Sequence, residues 1–242
     1  MNTSAQAFAW LRLPPDSRVL TLWQTLLRLL AAPLIGGTWG VLCWWGDRWD
    51  GPAAFAVNAI GPWLLLAFGI GAWVRALLPG MLAATAALTT AVLTYYTTYD
   101  VAYQLDPTQG TRYFTPGGQA WLALALAAGI VVGALGVCWR RGHHPALAAG
   151  LLGGALAGEG IYQLREMRHY ASEAANTPTD VALVLLCIAL GLALPLVLVR
   201  LRRPHQPVPG MLRAAAITVS LALISPPALT ILERVLRERY NA

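Results

Sequence analysis

Seven stretches of mainly apolar residues follow one another along this chain, and each approaches the roughly 20 residues a helix needs to cross a bilayer. They lie at about 27–45, 55–74, 80–99, 118–139, 145–165, 180–201 and 211–233. Little is left between them. Only 12% of the 242 residues are charged, about half the roughly 25% of a soluble domain. The pattern predicts an all-α fold, a polytopic transmembrane helix bundle forming one integral membrane domain over residues 1–242. Its first partner is the lipid bilayer. Ser225-Pro226-Pro227 falls inside the seventh stretch. Proline cannot donate to the helical ladder, so this span should kink; six spans and a bent tail is the alternative.

A net charge of +6 suggests nucleic acid until the charges are located. Every basic side chain other than histidine is Arg, and most lie at stretch ends and in loops. No nucleic-acid partner is expected. Without Lys, a retinal Schiff base is excluded. Summed over alternate sides, 10 Arg fall on the N-terminal side and 7 on the other. The positive-inside bias then places the N-terminus in the cytoplasm of a cell whose plasma membrane the chain crosses. Trp44, Trp45, Trp49 and Trp121 mark the outer surface and Trp23, Trp73 and Trp139 the inner one. Such belts anchor helices at the headgroups, but Trp39 and Trp63 lie deeper than a belt requires.

Small residues recur at helical spacing: Gly150, Gly154 and Gly158 in the fifth stretch, Ala125, Gly129 and Gly133 in the fourth, Gly36 and Gly40 in the first. Rows of this kind let helix backbones approach closely. Cys43, Cys138 and Cys187 each fall within an apolar stretch and read as small core residues. His143-His144 adjoins Arg140-Arg141 as a basic flank, without the ligand spacing of a metal site. Asp47 and Asp50 flank Arg48 as solvated surface charges. The loops at 100–117 and 166–179 are long enough for a lid, although plain connectors suffice. No metal and no cofactor is expected.

Glu159 is the one acid well inside a stretch. A charge there costs at least about 2.5–3.5 kcal/mol, so it should face a cavity or a partner group. At 1.5 Å per residue it lies roughly 6 Å to the outer side of the midplane, and Asn58 roughly 9 Å on the same side. Tyr95 and Tyr96 reach a similar height, Tyr162 is one turn above Glu159, Trp121 begins its stretch there and Trp63 lies just below. This layer suits an outward-opening pocket with a few polar anchors. Adjacent positions on one helix imply that Tyr95 and Tyr96 do not both point inward. No His lies inside a stretch, and HExxH, the P-loop and GxGxxG are absent, so the chain reads as no enzyme.

Asn58-Ala-Ile-Gly-Pro62-Trp63, Thr94-Tyr95-Tyr96, Gly133-Ala-Leu-Gly136 leading to Trp139-Arg140, and Gly158-Glu159-Gly160 occur in that order. Over roughly residues 30–165 the chain resembles a family of uncharacterised multi-pass membrane proteins of high-GC Gram-positive bacteria, known as a domain of unknown function. It departs from that pattern at Ala59, where Ser is expected, and at Val131-Val132, where Gly-Pro is expected. The resemblance implies membrane placement and brings no activity. From the residues, the leading expectation is an outward-facing subunit that binds or transports a small, partly apolar solute. Glu159 and Asn58 anchor its polar group; Trp63, Tyr95 or Tyr96, and Tyr162 pack its body. A proton-coupled carrier using Glu159 alone is a variant of it. The other expectation is a structural or accessory protein whose glycine faces pack against a partner membrane subunit or a second copy.

Overall fold

A computed structural model describes residues 22–49, 57, 59–103, 115–169, 178–202 and 209–240. Its helices are α1 (Leu22–Asp47), α2 (Ile60–Val74), α3 (Leu77–Ala102), α4 (Pro116–Arg141), α5 (Pro145–His169), α6 (Pro178–Arg202) and α7 (Pro209–Tyr240). The described fold is all-α. Four helices are long and apolar enough to cross a membrane: Trp23–Asp47, Leu77–Ala102, Gly117–Arg141 and Pro178–Leu201. Their outward side chains are apolar too, with Leu34 73%, Val131 57% and Leu190 54% exposed. Water would not tolerate so much contiguous apolar surface, whereas lipid tails would.

Local signals account for the helix ends. In α4, Thr115 accepts the Gly118 N–H at 3.3 Å and Pro116 opens the first turn; Arg140 and Arg141 close the last turn before Gly142 at φ 77°. These are an N-cap, an N1 proline, cations at the negative dipole end and a left-handed C-cap. The second stretch behaves differently: its helix begins at Ile60 instead of 55 and has 15 residues. At about 22 Å it is shorter than a hydrocarbon core of about 30 Å.

The bundle has two parts. In the first, α3 is central, packed against α1, α4 and α2, while α4 also packs on α2. In the second, α5 packs against both α6 and α7. Phe68, Ala148, Leu152 and Leu156 bury the seam between them. Trp139 crosses it, its ring 5.8 Å from Phe68 and its indole N–H donated to Leu198 O at 3.1 Å.

Glycines set these approaches. A Cβ on Gly36 or Gly40 would run into the Ala87 or Ala91 carbonyl of α3, and one on Gly129 into Thr85. A Cβ on Gly71 would meet Gly133, and one on Gly136 the Phe68 carbonyl. On α5, a Cβ on Gly150 would stand 2.8 Å from Ile217, and one on Gly154 2.6 Å from Leu221. The expectation that these faces await a partner is therefore corrected at six positions: Gly36, Gly40, Gly129, Gly133, Gly150 and Gly154 are covered by the chain's own helices.

α7 continues as helix through Pro226 and Pro227, and α6 through Pro195. Pro195 is fully buried and packs its ring onto Gly153, whose missing side chain leaves the room. Neighbouring helices can compensate the lost ladder bond inside a bundle.

Candidate functional site

The short helix α2 organises the site. Its N-cap, Ala59, has no side-chain oxygen, so the amides of the first turn need an outside acceptor. Pro62 removes one donor from that turn. Ile60 and Gly61 remain, and Glu159 of α5 takes both. Ile60 N–H donates to Oε1, and Gly61 N–H donates to Oε2 at 2.7 Å. Glycine at 61 gives the carboxylate its room, because a Cβ there would stand 3.3 Å from Oε2 and 2.7 Å from Leu156. Glu159 is 6% exposed, so this is a buried acid with each oxygen on a backbone donor at the positive end of a helix dipole.

Cations meet the other end of α2. Arg28 of α1 donates to Trp73 O at 2.7 Å and lies 5.5 Å over the Trp73 ring. Arg141 of α4 donates its Nε–H to Arg75 O at 2.6 Å. Arg75 is the C-cap, in the left-handed region at φ 65°. Side chains from other helices thus meet both ends of α2, an acid at its N-terminus and guanidinium groups at its C-terminus, the arrangement that suits a helix dipole.

Two adjoining cavities lie between α2, α3 and α4. One, of about 90 Å³, is lined by Val57, Trp63, Val92, Tyr95, Tyr96 and Trp121. The second, of about 110 Å³, shares Trp63, Val92 and Trp121 and is otherwise lined by Ile60, Leu64, Leu88, Leu124, Ala125 and Ala128. Three groups fix the aromatic walls. Trp63 donates its indole N–H to Val57 O at 3.0 Å. Tyr95 donates its hydroxyl to Asp47 Oδ2 at 2.6 Å. The Tyr95 and Tyr96 rings stand edge to face, 5.3 Å apart with planes at 88°.

The sequence-derived layer is brought together in part. Trp63, Tyr95, Tyr96 and Trp121 share one cavity, and the expectation that only one of the two tyrosines points inward is corrected: perpendicular rings let both line it. Glu159 lines neither cavity and sits behind the Ile60 backbone. Tyr162, half-buried on α5, lines neither of them. Asn58 lies outside the described residues, as do Asp50, residues 104–114 and residues 170–177. Asp47, read as a solvated charge, is instead half-buried and bonded to Tyr95. A helix start with no Ser, Thr, Asp or Asn cap was the available signal for the Glu159 clamp. Nothing in sequence marks the Asp47–Tyr95 pair.

Among the described residues, no three His, Cys, Asp or Glu side chains gather as a metal site. The three cysteines are free thiols, with Cys43 buried. Trp39 buries its indole nitrogen without a hydrogen-bond partner.

The residues joined by the Glu159 clamp lie within one long family match. A family model described as "Family of unknown function (DUF6518)" matches residues 20–229. The chain belongs to this family. The DUF6518 match runs from the residues just before α1 into α7, and so takes in both parts of the bundle and the whole candidate site. Comparison with curated proteins gives no match, and comparison with solved structures gives none.

Proposed function

We propose that this DUF6518 protein is a seven-span protein of the plasma membrane, with a cytoplasmic N-terminus, that binds a small and partly apolar solute from the outer side. It acts as a binding or transport subunit and not as an enzyme. The observation that carries this reading is the pair of adjoining cavities walled by Trp63, Tyr95, Tyr96 and Trp121. Their volumes lie well under the roughly 300–1,000 Å³ of drug-sized sites, which points to a ligand of few heavy atoms. One compartment is lined by phenols and indoles and the other mainly by aliphatic side chains, which favours a ligand with one polar and one apolar end.

The course of the chain supports the topology. α1 and α3 run in the same direction (Gly36 at Ala87, Gly40 at Ala91), as do α5 and α7 (Gly150 at Ala214, Gly154 at Thr218). α5 and α6 run oppositely, with Gly153 at Pro195 and Gly160 at Ile188. Such alternation favours a serpentine of seven passes. Arg28, Arg75 and Arg141 meet at one end of α2, and an arginine-rich end favours the cytoplasmic face. Asp47 and Tyr95 then belong to the outer half.

Glu159 has a changed part in this reading. With both oxygens on α2 it positions Ile60 and Trp63, and does not itself hold the ligand. The test is a thermal-shift screen of small alcohols, amines and carboxylic acids against purified protein in nanodiscs. At least one should raise the melting temperature of the parent but not of Ala128→Phe, which fills the aliphatic cavity. A screen without any such compound would reject the proposal.

A further inference from the structure

We infer that the ligand of the paired cavities is a small quaternary ammonium cation, with its charged head among the aromatic rings and a short substituent in the aliphatic compartment. This rests on the solute-binding reading above and names the ligand class for that site.

The polar chemistry of the first cavity selects the charge. Its described walls are two indoles, two phenols and two valines, without a cationic side chain. An anion would need N–H donors, and the indole N–H of Trp63 is already given to Val57 O. The Tyr95 hydroxyl proton is likewise given to Asp47. The four aromatic side chains make up most of the lining, and the face of such a ring is the negative part of its quadrupole. Cations are drawn to such faces, and quaternary ammonium groups are recognised by aromatic cages.

Geometry and charge agree. Tyr95 and Tyr96, with ring planes at 88°, form two walls of a corner, which Trp63 and Trp121 extend from α2 and α4. The Asp47 carboxylate, 2.6 Å from the Tyr95 oxygen, adds negative potential behind one wall. A primary ammonium carries three N–H donors, each seeking an acceptor. A quaternary ammonium has none to satisfy. Its substituent finds Leu64, Leu88 and Leu124 in the adjoining cavity. The head can come from a free solute or from a choline lipid; the recognised chemistry is the same.

The experiment uses the full chain in phosphatidylglycerol nanodiscs, which hold no choline headgroup. Choline and its neutral isostere 3,3-dimethyl-1-butanol are titrated by calorimetry. Choline should bind about tenfold or more tightly than the isostere, as two desolvated cation–ring contacts imply. Tyr96→Leu should weaken choline by about tenfold while leaving the isostere nearly unchanged. Tyr96→Phe keeps the ring face and should retain choline affinity within about threefold. Displacement of choline by micromolar dihexanoyl-phosphocholine supports a lipid headgroup as the source, and failure to displace supports a free solute; either is consistent with the inference. Equal or tighter binding of the neutral isostere overturns the cation but leaves the solute-binding reading intact. No binding of either probe also overturns the cation, and the thermal-shift screen then decides the broader reading separately.

Discussion

Replacing Glu159 by Ala removes the acceptor of two backbone amides, one buried and one half-buried. In the parent, Ile60 N–H and Gly61 N–H each meet one carboxylate oxygen, and no side chain of the N-cap residue substitutes. A hydrogen bond to a charged group contributes about 1.5–3 kcal/mol. Two of them make the expected loss about 3–6 kcal/mol, which already includes the favourable placement of an anion at a helix N-terminus. Glu159→Gln should cost about half as much, since the amide keeps one acceptor oxygen and turns N–H toward the other N–H. Ala59→Ser supplies the missing local cap. In the Glu159→Ala background it should recover about 1 kcal/mol by accepting from Gly61 N–H, and in the parent almost nothing. The assay is reversible unfolding in mixed micelles, read as free energy for the four single and combined variants. Glu159→Ala within about 0.5 kcal/mol of the parent, coupled with loss of ligand binding, would refute the reasoning. Glu159 would then be a ligand anchor whose contact with α2 contributes little.

Tyr95→Phe removes the hydroxyl bonded to Asp47 and should destabilise by about 1.5–3 kcal/mol; with Asp47→Asn, unfolding measurements complete a double-mutant cycle with clear coupling. Gly71→Leu places a branched side chain against the Gly133 backbone and should abolish a monodisperse peak in size-exclusion chromatography. Gly69→Ala, where a Cβ meets nothing within 4 Å, should be neutral or stabilising by up to about 1 kcal/mol in the same unfolding assay. Trp139→Phe keeps the ring beside Phe68 but loses the donor to Leu198 O. It should cost about 1 kcal/mol, and limited proteolysis should find the seam between the two parts of the bundle more readily cut.

What sequence makes visible here is set by range. Hydropathy acts over a few residues, so the stretch at about 118–139 falls within two residues of α4 at either end, just inside the Thr115 and Gly142 caps. The glycine rows were equally legible as close-packing faces. Their partners were not, because nothing local distinguishes a helix of the same chain from another protein. The depth argument gathered Trp63, Tyr95, Tyr96 and Trp121 correctly because rise per residue is nearly constant in a helix. It failed to separate cavity from scaffold at Glu159, since depth says nothing about rotation. The stretch at 55–74 starts earlier than α2 at Ile60 because residues 55–59 are mostly apolar in composition. Composition over such a window does not reveal where hydrogen bonding starts.

The clamp on α2 joins residues 98 and 99 positions apart, and that separation imposes an order on biogenesis. At a synthesis rate of roughly 5–20 residues per second, α5 follows α2 out of the ribosome by roughly 5–20 s. For that interval the amides of Ile60 and Gly61 have no carboxylate and must be served by water or headgroups. An α2 of about 22 Å can meet that need only with its N-terminus held at the interface. Under the seven-span proposal α2 then reaches its final depth late, when α5 delivers Glu159, and a nascent chain ending before Pro145 should leave α2 shallow and open to labelling from the aqueous side.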